Sequence, residues 1–153
     1  QYIAPANLVM LQQLRKATFL NLDPQPMDWG SVVSRRAVKK PPSEGGWNIF
    51  ITGTTVLNSS NPITHTSIGM GCDKAWFGWP CDAEFEELRE QWTFAPDLEA
   101  RKALAVKLSE RAYEQVPYLS FAQWRSPVAY RSDQISGVLS VTAVPPMWNI
   151  EKK

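Results

Sequence analysis

Histidine and cysteine are scarce in this chain of 153 residues: His65 stands alone, and Cys72 and Cys81 are the only thiols. A structural zinc needs four nitrogen or sulfur ligands, so a metal site is the weaker reading and no cofactor is expected. The lone histidine lies in Thr64-His65-Thr66, with no Gly-x-Ser-x-Gly or comparable nucleophile motif beside it, and a solvated side chain is its ordinary role. Gly69-Met70-Gly71 lacks the third glycine of a dinucleotide loop, because Cys72 intervenes. Glu84, Glu86 and Glu87 crowd into one helical turn, where the dipole explains them without acid–base chemistry. No enzyme is therefore expected. Charge of one sign is lacking too. Sixteen Lys and Arg nearly cancel fifteen Asp and Glu, which leaves no field to attract nucleic acid. No apolar run approaches the roughly 20 residues of a membrane helix, so the chain as given is expected to be soluble. Internal repeats are absent as well.

What the chain does have is a short loop between its two cysteines, enclosing Asp73-Lys74-Ala75-Trp76-Phe77-Gly78-Trp79-Pro80. It reads as a disulfide-closed aromatic loop, which points to an oxidising, extracytoplasmic compartment. Two reduced, buried thiols in a cytosolic protein are the alternative. Closing such a loop stabilises a fold by roughly 2.5–3 kcal/mol on the chain-entropy model. Seven Trp, four Tyr and six Phe are many for this length, and several sit among Gly and Pro instead of in periodic segments. Aromatics in loops suggest a recognition surface, whereas Trp29, Trp47, Trp92 and Trp148 taken singly are expected to be packing residues.

Periodicity outlines the elements. Leu8, Leu11 and Leu14 give residues 5–17 an apolar helical face, expected to pack on a sheet. A short extended piece over 21–27 precedes a helix capped by Asp28 and running to about Arg36. Arg35, Arg36, Lys39 and Lys40 at its end are expected to face water, with no binding role. Residues 47–52, with Ile49, Phe50 and Ile51 between glycines, are the clearest strand, of the buried parallel kind. The long polar stretch from Gly53 to Gly71 is then a functional loop or one tied down by other parts of the chain. Asp82 begins a helix with Phe85, Leu88 and Trp92 on one face. Pro96-Asp97 begins another, reaching Val116, with Leu104, Leu108 and Ala112 as its buried stripe and Pro117 as its stop. Residues 118–123, 126–130 and 137–144 read as further extended segments.

Taken in order, Met27-Asp28-Trp29-Gly30 with Ser34-Arg35-Arg36-Ala37, Gly46-Trp47-Asn48-Ile49-Phe50, Ala75-Trp76-Phe77-Gly78-Trp79-Pro80-Cys81-Asp82 and Val116-Pro117-Tyr118 resemble one family. They are similar to the C-terminal part of bacterial extracytoplasmic solute-binding proteins of the peptide/nickel ABC-transporter class, the dipeptide- and oligopeptide-binding family 5. The resemblance extends to Gly137-Val138 and Trp148-Asn149, and so covers nearly the whole chain. It implies an α/β fold: an incomplete, N-terminally truncated lobe of the type II periplasmic-binding-protein kind, a mixed sheet flanked by helices. Residues 1–130 are the ligand-binding lobe on this reading, and 131–153 a tail returning toward a second lobe. A lobe without its neighbouring strand has an open sheet edge, so dimerisation or strand exchange is expected in isolation.

The same resemblance assigns ligand contacts to Gly53, Thr54, Thr55, Val56 and Asn58, in the loop that leaves the central strand, and to Trp124. Placement at the carboxyl end of a parallel strand also suits a ligand site on physical grounds. Many peptide-binding relatives carry an Asp here that pairs with the ligand's ammonium group; this chain has Asn58, and Asn61-Pro62 where relatives have Asp-Pro. Losing both charges removes the electrostatic anchor for an amine, which puts a simple dipeptide specificity in doubt. Turn formation is the competing role of both asparagines, and core packing that of Trp124. The implied partners are a peptide or other small solute and the ABC permease subunits in the membrane. The implied place is the periplasm of a Gram-negative bacterium. The other class of reading is a lobe-fold interaction domain that binds no solute.

Overall fold

The computed structural model describes residues 3–17, 19–125, 127–139 and 146–153. Among them the order is α1 (Ile3–Leu14), α2 (Trp29–Arg35), α3 (Ala83–Thr93), α4 (Leu98–Gln115), β1 (Ile135–Ser136) and β2 (Glu151–Lys152). Single 3-10 turns lie at Pro42–Glu44, Leu57–Ser59, Thr66–Ile68 and Cys72–Lys74.

Three helices begin where a side-chain oxygen can take an orphan amide. Asp28 accepts from Ser31 N, Asp82 from Phe85 N and Asp97 from Ala100 N, so each start is set by local chemistry. The end of α4 is equally local. Pro117 disfavours the right-handed helical conformation at the residue before it, and Val116 turns left-handed with φ 48°, its N–H donating to Ala112 O.

The core is small. Met70, Phe85 and Leu108 are buried at 1%, 0% and 3% exposure, with Ile68, Leu88, Trp92 and Ala112 packed around them. It therefore lies between α3, α4 and the segment just before the cysteine loop. Asp82 ties these together a second time: its carboxylate also accepts from Arg111 Nη2 on α4 at 2.6 Å. A salt bridge with one buried side is worth more than an exposed one, and the Asp82 side chain is only 8% exposed.

The expected mixed sheet does not form among the described residues. Residues 47–52 carry no ladder, Ile49 is exposed, and 118–123 and the described part of 126–130 are extended without strand partners. A strand exists only as one side of a hydrogen-bonded pair, so apolar character alone cannot make one. The α1 helix correspondingly has no sheet to pack on, and Leu8 and Val9 are exposed. The two strands that do form pair antiparallel, Ile135 with Lys152 and Ser136 with Glu151, joining two ends of the 131–153 segment. Gly137 permits this approach: its φ is +72°, and a Cβ there would lie 1.8 Å from Asn149 O. Most of the expected 137–144 strand lies outside the described residues.

Surface area shows how little of the chain covers itself. A compact monomer of 17.3 kDa exposes roughly 7,800 Å² on the general size scaling. This chain exposes 11765 Å², with Leu119, Met147 and Trp148 among the open large apolar side chains. Trp148, expected to pack, is 85% exposed and Trp29 is half exposed, whereas Trp92 joins the core. No described helix is long and apolar enough to cross a membrane.

Candidate functional site

A disulfide joins Cys72 to Cys81, and the backbone at its mouth is paired as well: Cys72 N donates to Pro80 O and Asp82 N to Met70 O. The staple thus presents Met70 to the core on one side and starts α3 on the other. Inside the loop the rings of Trp76, Phe77 and Trp79 meet Trp47 and Phe50, with Trp47 and Phe50 edge-on at 4.7 Å. Gly78, at φ +106°, lets the loop turn against Trp47.

Of the cations at the end of α2, Lys39 and Lys40 are exposed as expected, but Arg35 and Arg36 are half-buried. The Arg36 guanidinium carbon lies 4.4 Å from the Phe77 ring centroid and within 5.6 Å of those of Trp29 and Trp76. Arg35 donates through Nε and Nη2 to Gly46 O. Lys39 sits over Trp79 and pairs with Asp73 at 2.6 Å. The reason is chemical: an arginine plane stacks on aromatic faces as readily as it is hydrated, and three such faces converge there. Lys40 keeps only a long, exposed contact to Glu44.

The residues assigned to ligand binding occupy the next stretch. Gly53, Thr54, Thr55, Val56 and Asn58 are all exposed, in a loop that ends in the Leu57–Ser59 turn. Thr55 Oγ1 accepts from the Asn58 backbone N–H at 3.3 Å. Asn61 serves the turn instead: its Oδ1 accepts from Ile63 N and Thr64 N. Trp124 is exposed too, on an extended segment that follows α4. No hydrogen bond joins it to 53–58 among the described residues. His65, beyond 53–58, stands edge-on to Tyr118, before Trp124, at 5.1 Å.

Shallow grooves indent the surface of the described residues. One of about 580 Å³ is lined by Ile63, Ala83, Glu86, Glu87, Arg89 and neighbours on α3; another of about 810 Å³ runs along α2 past Asp28, Ser34 and Arg35. Neither is lined by 53–58 or Trp124. Among the described residues no three His, Cys, Asp or Glu converge as a metal ion would require.

Burial pushes the His65 imidazole below its ordinary value of 6.5. Arg111, followed by the Phe85 N–H, holds the Asp82 carboxyl below its ordinary 3.8. The two act at different pH. A depressed histidine contributes stability that is complete above 6.5 and lost as the pH falls through the folded value. A depressed carboxylate keeps its contribution above 3.8 and loses it only below that. Urea midpoints measured from about pH 8 to about pH 3 are expected to fall in two steps. His65→Gln is expected to remove the upper one; an unchanged upper step in that variant contradicts the assignment.

The ordered motifs and the stapled loop together define a class, the extracytoplasmic binding proteins of peptide ABC transporters, as what this chain resembles. A particular relative bears this out. Over 147 residues, 96% of its length, the chain is 37% identical to the "Probable peptide ABC transporter periplasmic-binding protein" of Sinorhizobium fredii. The chain spans 27% of the length of that relative. No family model matches the chain.

Proposed function

We propose that the chain is most of one lobe of the solute-binding component of an ABC importer. It binds a peptide or related small solute in a cleft between two lobes and hands it to the membrane permease, in the periplasm of a Gram-negative bacterium. The mechanism is closure: solute held between lobes lowers the energy of the closed state, and only its differential affinity for closed over open does the work. The binding lobe would be residues 1–130, completed as an α/β layer by sheet partners for 47–52 and 118–123, with 131–153 as the returning tail. Ligand contacts would come from Gly53, Thr54, Thr55, Val56, Asn58 and Trp124.

The observation that carries this reading is the 37% identity across nearly the whole chain to a protein named as a periplasmic binder. Physical chemistry supports it in two ways. A ligand loop must be reachable, and 53–58 is exposed. A lobe built to be covered leaves surface open, and the total surface here exceeds the size scaling by on the order of 4,000 Å², with Leu119, Met147 and Trp148 among the exposed apolar side chains. The expected dimer or strand exchange draws no support from the single chain described and is not carried further.

A second reading, an interaction domain that binds no solute, is favoured by Asn58 and Asn61 standing where an acidic anchor is wanted, and by both grooves lying away from 53–58. Isothermal titration of the intact two-lobed protein with a mixture of di- to pentapeptides, then haem and nickel chelates, separates the two. Heat with peptide, reduced at least roughly five-fold in affinity by Trp124→Ala, is the expected result. Silence for every solute from a folded protein selects the interaction domain.

A further inference from the structure

Something must hold the long polar stretch after residue 52, because it has no sheet partners and its exposed loop has few contacts of its own. Besides the Cys72–Cys81 staple at its far end and the His65–Tyr118 contact, an ion pair on α3 anchors it. Arg89 Nη1 meets both oxygens of Glu86, at 2.8 and 2.7 Å. The rest of the guanidinium reaches back across the chain: Nε donates to Pro62 O at 3.0 Å and Nη2 to Ile63 O at 3.4 Å. Glu86 Oε1 in turn accepts from Met70 N at 2.6 Å. One pair therefore grips the start of the 62–70 segment through its carbonyls and the end through an amide. The Arg89 side chain is only 17% exposed, so these bonds compete with little water.

We propose that Glu86 and Arg89 are positioning residues for the ligand loop: by clamping the Asn61 turn, three residues beyond Asn58, they set the conformation in which 53–58 meets solute. This rests on the reading of 53–58 as the ligand loop. Neither side chain touches solute on this account. Arginine is required because its planar fork serves the carboxylate and two carbonyls together, which a lysine ammonium cannot do. The Asn61 side chain completes the turn from within, by taking the Ile63 and Thr64 amides.

Arg89→Lys tests this, since it keeps the charge and the pairing with Glu86 but loses the fork. Hydrogen exchange followed by mass spectrometry is read at His65 and Ile68, and separately at amides of α4. The proposal expects exchange about ten-fold faster or more at the first set and unchanged on α4, with affinity for the di- to pentapeptide mixture about five-fold weaker or more. Unchanged exchange at the first set overturns the clamp. Faster exchange with undiminished affinity overturns its role in binding. If the unaltered protein binds no peptide at all, the peptide-binder reading falls instead, and exchange still decides whether the pair sets the turn.

Discussion

Phe85→Ala is expected to destabilise the protein by about 3–5 kcal/mol, the largest effect of any single substitution here. Phe85 has 0% exposure and sits between Met70 and Leu108 in a core with no other fully buried apolar side chains among the described residues. Removing its ring loses the transfer free energy of the side chain and leaves a cavity that two helices and a stapled segment cannot all move to fill. Native margins are typically only about 5–15 kcal/mol, and a chain with this much open surface has little in reserve. Urea unfolding followed by circular dichroism is the measurement. Phe94→Ala is the control: that ring is 78% exposed and should shift stability by less than about 0.5 kcal/mol. Equal midpoints for the two variants would refute the assignment of the core.

Replacing both cysteines, Cys72→Ser with Cys81→Ser, is expected to cost about 2.5–3 kcal/mol and to lower the melting temperature by about 5–10 °C. The loss comes chiefly from the unfolded chain, which regains the freedom of a loop spanning 9 positions in sequence. The native loop keeps other ties, namely the Cys72–Pro80 and Asp82–Met70 backbone bonds and the Arg36 and Lys39 contacts to its rings. The variant should therefore remain folded at low temperature and show near-ultraviolet dichroism from its tryptophans. Reductant should lower the melting point of the parent toward that of the variant and leave the variant unmoved. Thiols found free in the untreated parent by alkylation and mass spectrometry would remove the basis of this prediction.

Which of these features could be read in the residues depended on how far apart the interacting groups lie. Asp28, Asp82 and Asp97 announce helix starts because cap and amide are three residues apart. The cysteine loop was legible for the same reason, and so was the Phe85, Leu88 and Trp92 face. Arg36 was misread as solvated, because the rings of Trp76 and Phe77 that receive it lie some forty positions downstream. Arg89 was missed altogether: its partner Pro62 O is 27 residues away and is a backbone atom, for which no side-chain motif exists. An unusual arginine within a helix rich in glutamate was the one available signal. The apolar run over 47–52 was read as a strand; with no ladder to join, Ile49 is exposed while Trp47 and Phe50 turn to the rings of the stapled loop.

The order of the aromatic and proline motifs along the chain and its single pair of cysteines were enough to name the class of protein it resembles. These are properties of residue identity and near spacing. Tertiary structure alone decided that Met70 joins Phe85 and Leu108 in the core, that Arg36 and Lys39 meet the rings of the stapled loop, and that one α3 ion pair reaches the carbonyls beside the Asn61 turn. Such contacts close over tens of residues, where the loss of chain entropy is repaid only by several groups meeting at once, and a linear reading has no access to that coincidence.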